Sequence, residues 1–164
     1  MFINDLLKIL HILAAMFLVA GGVGRQYTRA QARKTSDLKI FIEFSNLAGR
    51  FDTALVRPFS TLVILIGIIL AVRQGWPLFG FLQGSPINWL FVSVLITLTI
   101  FPIIIFIFLP RGKIYEQSLK DAIAKGEITS ELMASFNDPV VRLAHTWEFV
   151  SLLIIVALMV AKPF

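Results

Sequence analysis

Residues 87–109 read INWLFVSVLITLTIFPIIIFIFL, and their reading decides the fold. The stretch carries no formal charge. At a rise of about 1.5 Å per residue it forms a helix of roughly 34 Å, enough to cross a hydrocarbon core about 30 Å thick. The charge-free run is longer still, from residue 74 to residue 110, which exceeds one crossing. Trp76-Pro77, Gly80, Gly84 and Pro86 break its first part into an interfacial loop, because glycine and proline punctuate helices. Trp76 and Trp89 flank that loop where amphipathic rings sit at headgroup level.

Three further spans follow on the same grounds. The first covers 2–24, with no charge between Ile9 and Gly24 and no small-residue cleavage pattern, so it reads as a retained span. The second covers 56–73, with Arg57 snorkelling to the headgroups. The fourth covers 140–161, entered through Asp138 as N-cap and Pro139 at the first helical position. The expectation is a single all-α domain, a four-transmembrane-helix bundle with amphipathic cytoplasmic loop helices. Composition agrees: of 164 residues, 57% are hydrophobic and only 15% charged, too few charges to cover a soluble globule. With no cysteine, disulfides, thiolate metal sites and cysteine nucleophiles are excluded.

The net charge of +5 resolves into an asymmetry. Twelve of the 15 basic residues fall in segments 25–57 and 111–142, against Lys8, Arg73 and Lys162 on the other side. The positive-inside bias therefore puts both long loops in the cytoplasm of a bacterial inner membrane and both termini outside. Leu38, Phe41, Ile42, Ser45, Leu47 and Ala48 recur at near-helical spacing, which predicts an amphipathic helix over 36–51 lying in the interface. Lys113 to Lys125 reads as another helix, closed by Gly126, and Thr129 to Phe136 as a short third. Basic loops of this kind match anionic headgroups, so the lipid bilayer is the first partner. No motif supports nucleic-acid binding.

Ionisable residues inside a membrane are the place to look for function, since each is costly there. His11 shares a stripe with Ala14, Ala15, Leu18, Gly21 and Gly22, whose small residues mark a close helix approach and turn the imidazole into the bundle. There it can ligate a haem iron or another metal, or bond a carbonyl across helices. His145 and Glu148 lie in the first turns of the fourth span. A carboxylate at that depth is protonated or paired. With Arg25, Arg50, Asp52 and Arg57 they form a candidate polar cluster in the cytoplasmic leaflet, either an ion-pair network fixing helix register or a proton-handling site. His11 and His145 lie at different depths, which argues against one haem bridging them. Thr61, Ser93, Thr97 and Thr99 are too few to line an ion pathway, and no zincin pair is present.

Leu10-His11 with Gly21-Gly22, Arg50 and Asp52, the Trp76-Pro77 loop, Trp89, Pro110-Arg111, Gly126-Glu127, Trp147-Glu148 and the ending Met159 to Pro163 follow in a definite order. That order resembles a bacterial family of four-span integral membrane proteins known as a domain of unknown function, over nearly the whole chain. More distantly, the first span is similar to the copper-resistance-protein-D type and to the membrane protoporphyrinogen oxidase of haem biosynthesis, whose first-span histidine binds haem. That likeness implies a haem b ligand at His11 and extends to no other residue. The oxidase family places a lysine shortly after Trp-Leu in span three, whereas here Trp89-Leu90 is followed by Phe91, Val92 and Ser93. The methionines are scattered, where a soft-metal relay wants clustered thioethers.

Taken together, these features describe a non-catalytic accessory or structural subunit of a membrane complex. Its Phe- and Ile-rich faces would contact partner subunits or further copies of itself. A haem b protein using His11, and a small-molecule or proton-handling protein using Arg50, Asp52, Arg57, His145 and Glu148, are the competing readings.

Overall fold

A computed structural model describes residues 2–163. The protein is all-α, about 85% helical, with no strand among the described residues. Four helical runs are long and apolar enough to cross a membrane: Phe2–Ala32, Leu38–Arg73, Trp89–Lys125 and Ser130–Ala161. The elements are α1 (Phe2–Ala32), α2 (Leu38–Phe51), α3 (Arg57–Arg73), α4 (Trp89–Leu98), α5 (Ile100–Ile103), α6 (Leu109–Lys125), α7 (Ser130–Phe136) and α8 (Pro139–Ala161). They fall into two compact units, Met1–Thr35 with Lys39–Ser85, and Ser36–Leu38 with Pro86–Phe164.

The first unit is an antiparallel pair of α1 and α3, held by a polar clamp at each end. At one end Arg73 Nε donates to Asn4 Oδ1 at 2.8 Å. At the other, Asp52 accepts from Arg25 and Arg57. Each helical run covers the same 21-residue step between clamps, from Asn4 to Arg25 and from Asp52 to Arg73. That step is about 31 Å of helix, the thickness of a hydrocarbon core. Between the clamps Phe17 stacks on Phe59, ring centroids 4.8 Å apart. The helices close on each other because Gly21 has no side chain: a Cβ there would stand 2.6 Å from Leu55 Cβ. Small residues at such crossings let backbones approach, the main source of cohesion between helices in lipid.

The second unit repeats this plan with α4–α6 against α8. Lys162 lies over the Trp89 ring at one end, 5.5 Å from its centroid. At the other end Arg111 pairs with Asp138. Between them Trp147 Nε1 donates to Thr99 Oγ1 at 2.9 Å, and Phe108 stacks on His145. Past the clamp, Tyr115 meets Phe136.

Prolines shape both runs. Pro102 has no N–H for the Leu98 carbonyl, and α4 stops at Leu98. The π-turns Asp52–Val56 and Ile104–Phe108 each end two residues before a proline, Pro58 and Pro110. In each, the residue before the proline donates five residues back, Arg57 to Asp52 and Leu109 to Ile104. The proline then sits in the first turn of the next helix, where a missing donor is tolerated.

This is where the structure departs from the sequence expectation of a separate surface helix over 36–51. α2 runs through its π-turn into α3 without leaving helical dihedrals, φ −58° and ψ −41° at Phe51 and φ −63° and ψ −53° at Arg57. The helix predicted over 113–125 likewise continues from span three. Gly126 closes it in the left-handed conformation at φ 76°. Thr129 caps α7 through Leu132 N–H, and Asp138 caps α8 through Val140 and Val141 N–H.

Candidate functional site

The polar residues singled out from the sequence sort into three places in the first unit and one in the second.

The first is the Asp52 clamp. Arg25 Nη1 reaches Asp52 Oδ1 at 2.8 Å and Arg57 Nε reaches Oδ2 at 2.7 Å, so one carboxylate engages two guanidiniums. Arg25 is buried, its side chain 10% exposed, and Arg57 is out in solvent or headgroups at 73%. The pairing at i, i+5 depends on the π-turn. On an α-helix residues five apart diverge, and the wider π-turn returns Arg57 to the face of Asp52. Gly24 makes room on the other side, since a Cβ there would stand 2.6 Å from the Phe51 ring. Thr28 bonds the carbonyls of Gly24 and Arg25 and finishes the turn below.

Arg50 does not join this clamp. Two residues before Asp52, it points to the opposite face, as i, i+2 spacing requires. It lines a shallow groove on α2 with Glu43, Phe44, Asn46 and Leu47.

The third place is His11, whose imidazole fits a notch in α3 made by Gly67. A Cβ on Gly67 would stand 3.1 Å from His11 Cε1, 3.7 Å from Nδ1 and 4.0 Å from Nε2. Those three distances put α3 close to the plane of the ring, beyond its Cε1 corner. An iron ligand lies in the ring plane with the macrocycle perpendicular to the metal–nitrogen bond. A porphyrin on either nitrogen would therefore overlap the α3 backbone, and haem does not fit the ring as packed. Nδ1 is buried without a hydrogen-bond partner. The backbone of Val63, one turn from Gly67, is the polar group beside the ring.

In the second unit His145 Nδ1 and Glu148 Oε2 share a hydrogen bond of 3.1 Å, with the side chains 13% and 23% exposed. The ring is stacked on Phe108 at a centroid distance of 4.5 Å and 27° between planes. The π-turn at Ile104–Phe108 presents that phenyl ring. Ser151 returns its hydroxyl to the Glu148 carbonyl. The Arg111–Asp138 pair lies a turn or two further out; the sequence marks Asp138 as a cap but does not mark the pair. Among the described residues no group of three His, Cys, Asp or Glu side chains is placed to hold a metal ion.

The expected in-span hydroxyls are used locally. Thr61 bonds the Arg57 carbonyl, Ser93 that of Trp89, Thr97 that of Ser93 and Thr99 that of Ile96. Sequence reasoning also misses Asn4 with Arg73. The register set by Arg25 and Asp52 in an antiparallel pair points straight to it, because the residue numbers of facing positions have a constant sum.

Four apolar spans with this placement of polar residues match one family, described as "Predicted integral membrane protein (DUF2269)", over residues 5–163. The chain belongs to that family. As a DUF2269 protein it is an integral membrane protein in contact with lipid. No curated protein and no solved structure matches the chain.

Proposed function

We propose that this DUF2269 protein is a non-catalytic accessory or structural subunit of a complex in a bacterial inner membrane. Both termini lie outside and both long loops are cytoplasmic. The observation that carries the reading is how the polar groups of the spans are used. The hydroxyls of α3 and α4 return to carbonyls of their own helices, Asp52 is taken up by two arginines, and His11 fills a glycine notch. These groups hold helices together. What faces outward is apolar: Ile105, Phe106 and Leu109 are 55%, 73% and 58% exposed. Such a face suits lateral contact with another membrane subunit or a second copy. The haem b reading draws no support from the packing around His11.

Extraction in mild detergent followed by native mass spectrometry tests the proposal. A stoichiometric complex, hetero-oligomeric or homo-oligomeric, is expected, and Phe106→Ala should weaken it. A monodisperse monomer for the wild-type protein overturns the subunit reading. A reporter fused after Pro163 tests the orientation, expected to signal outside the cytoplasm; a cytoplasmic signal overturns it. The visible spectrum of the purified protein should lack a Soret band.

A further inference from the structure

The groove on α2 is a charged feature that neither clamp uses. Glu43, Asn46, Leu47 and Arg50 recur at i, i+3, i+4 and i+7, one face of the helix, and Phe44 closes the side. Glu43, Asn46 and Arg50 are exposed. Phe41 and Ala48 take the buried side of the same helix. The groove is thus an amphiphilic strip, with a carboxylate at one end, a guanidinium at the other, an amide between them and two apolar side chains alongside.

Its depth follows from the clamps. Arg73 and Asp52 bracket about 31 Å of helix, the hydrocarbon core. Arg50 lies two residues past Asp52, so its guanidinium stands in the headgroup layer, which adds roughly 5–8 Å on each side of the core. Glu43 is seven residues further along, about 10 Å outward. Side chains on a helix lean toward its N-terminus. Arg50 therefore reaches back along the groove toward Asn46 and Glu43.

We propose that this groove binds the headgroup of an aminophospholipid. Arg50 and Asn46 take the phosphate, Glu43 takes the ammonium on its water side, and Leu47 and Phe44 pack on the glycerol and the first acyl carbons. The order of charge along the groove, cation deep and anion shallow, is complementary to a headgroup whose phosphate is deep and whose ammonium is shallow. A purely anionic headgroup would meet Glu43 with nothing to offer it, so the groove discriminates as well as binds. The proposal requires α2 at headgroup level and is independent of whether the protein is a subunit.

Lipid retention measures this directly. The full chain is reconstituted in phosphatidylcholine nanodiscs containing equal minor fractions of phosphatidylethanolamine and phosphatidylglycerol. Lipids kept on release are then counted by native mass spectrometry. The wild-type protein should retain phosphatidylethanolamine several-fold above its share, and above phosphatidylglycerol. Arg50→Gln should bring that enrichment to the bulk ratio. Glu43→Gln should abolish the preference over phosphatidylglycerol while leaving retention of both. Soluble glycerophosphoethanolamine or inorganic phosphate in excess should not displace the lipid, since neither supplies the apolar contact; displacement by either would make the groove a free-phosphate site and overturn the proposal. Equal enrichment in wild type, Arg50→Gln and Glu43→Gln overturns it, as does a wild-type preference for phosphatidylglycerol. Both substituted positions are exposed, so circular dichroism should report unchanged helicity.

Discussion

Gly67 in α3 is the seat of the His11 imidazole: a Cβ at position 67 would stand 3.1 Å from His11 Cε1. The contact explains why a histidine stands on a small-residue stripe in span one, since the stripe and the notch form one crossing. Gly67→Ala should destabilise by about 1–2 kcal/mol, the range for mild overpacking, because the ring is boxed in and must give by a few tenths of an ångström. In a His11→Ala background the same change should turn neutral or favourable, as alanine is the better helix former. Gly21→Ala should cost more than Gly67→Ala, because its obstacle is Leu55 Cβ at 2.6 Å, an atom fixed to the backbone. Gly22→Ala, with nothing within 4 Å, should cost nothing. Unfolding in detergent across the His11–Gly67 double-mutant cycle checks the coupling.

Asp52 holds a buried and an exposed arginine, and the two should count very differently. Arg57→Gln removes a pair that is largely exposed and should cost no more than about 1 kcal/mol. Asp52→Asn leaves the Arg25 guanidinium buried without its carboxylate, and should cost on the order of 2–4 kcal/mol. If the two variants unfold at the same midpoint, the clamp is decoration and not a fastener.

Asp138 does two jobs that substitution can separate. Its Oδ1 accepts from Val140 and Val141 N–H, capping α8, while Oδ2 pairs with Arg111. Asp138→Asn keeps an N-cap oxygen and removes the ion pair. Asp138→Ala removes both, so it should be the less stable of the two by about 1 kcal/mol. Thermal unfolding of both variants, with and without Arg111→Gln, resolves the two contributions; identical losses for Asn and Ala would mean that the cap contributes nothing.

Much of this fold is legible in the sequence, and what is not has identifiable causes. Charge-free runs, Asp138-Pro139 and Gly126 mark their elements by local chemistry, and local chemistry survives folding. Pro58 hides the continuation of α2 into α3, because it reads as a helix start whether or not helix precedes it. Only the π-turn, invisible to 3.6-residue periodicity, lets the chain run through. The same turn hides the Asp52–Arg57 pair, since five-residue spacing shares no face on an α-helix. Proximity in sequence groups Arg50 with Asp52, although i, i+2 spacing sends it to another face. His145 and Glu148, at i, i+3, share the hydrogen bond that their spacing allows.

The π-turn at Asp52–Val56 makes a prediction of its own. A single π-turn in a helix is equivalent to one inserted residue, with the flanking helices keeping their faces. Deleting Ala54, which is exposed and within the turn, should return the segment to α-geometry. Asp52 and the arginine after it then become an i, i+4 pair, which an α-helix supports. The glycine contacts at Gly21 and Gly24 and the clamp at Asn4 and Arg73 should both survive. Deleting Ile64, also exposed but inside regular α3, instead rotates everything on one side of it by about 100° per residue lost. That deletion should tear Gly67 from His11 and Arg73 from Asn4. Folded yield and unfolding midpoint should therefore separate the two deletions widely, with the Ala54 deletion close to wild type. Equal damage from both would show that the turn is held by its surroundings and is not a tolerated insertion.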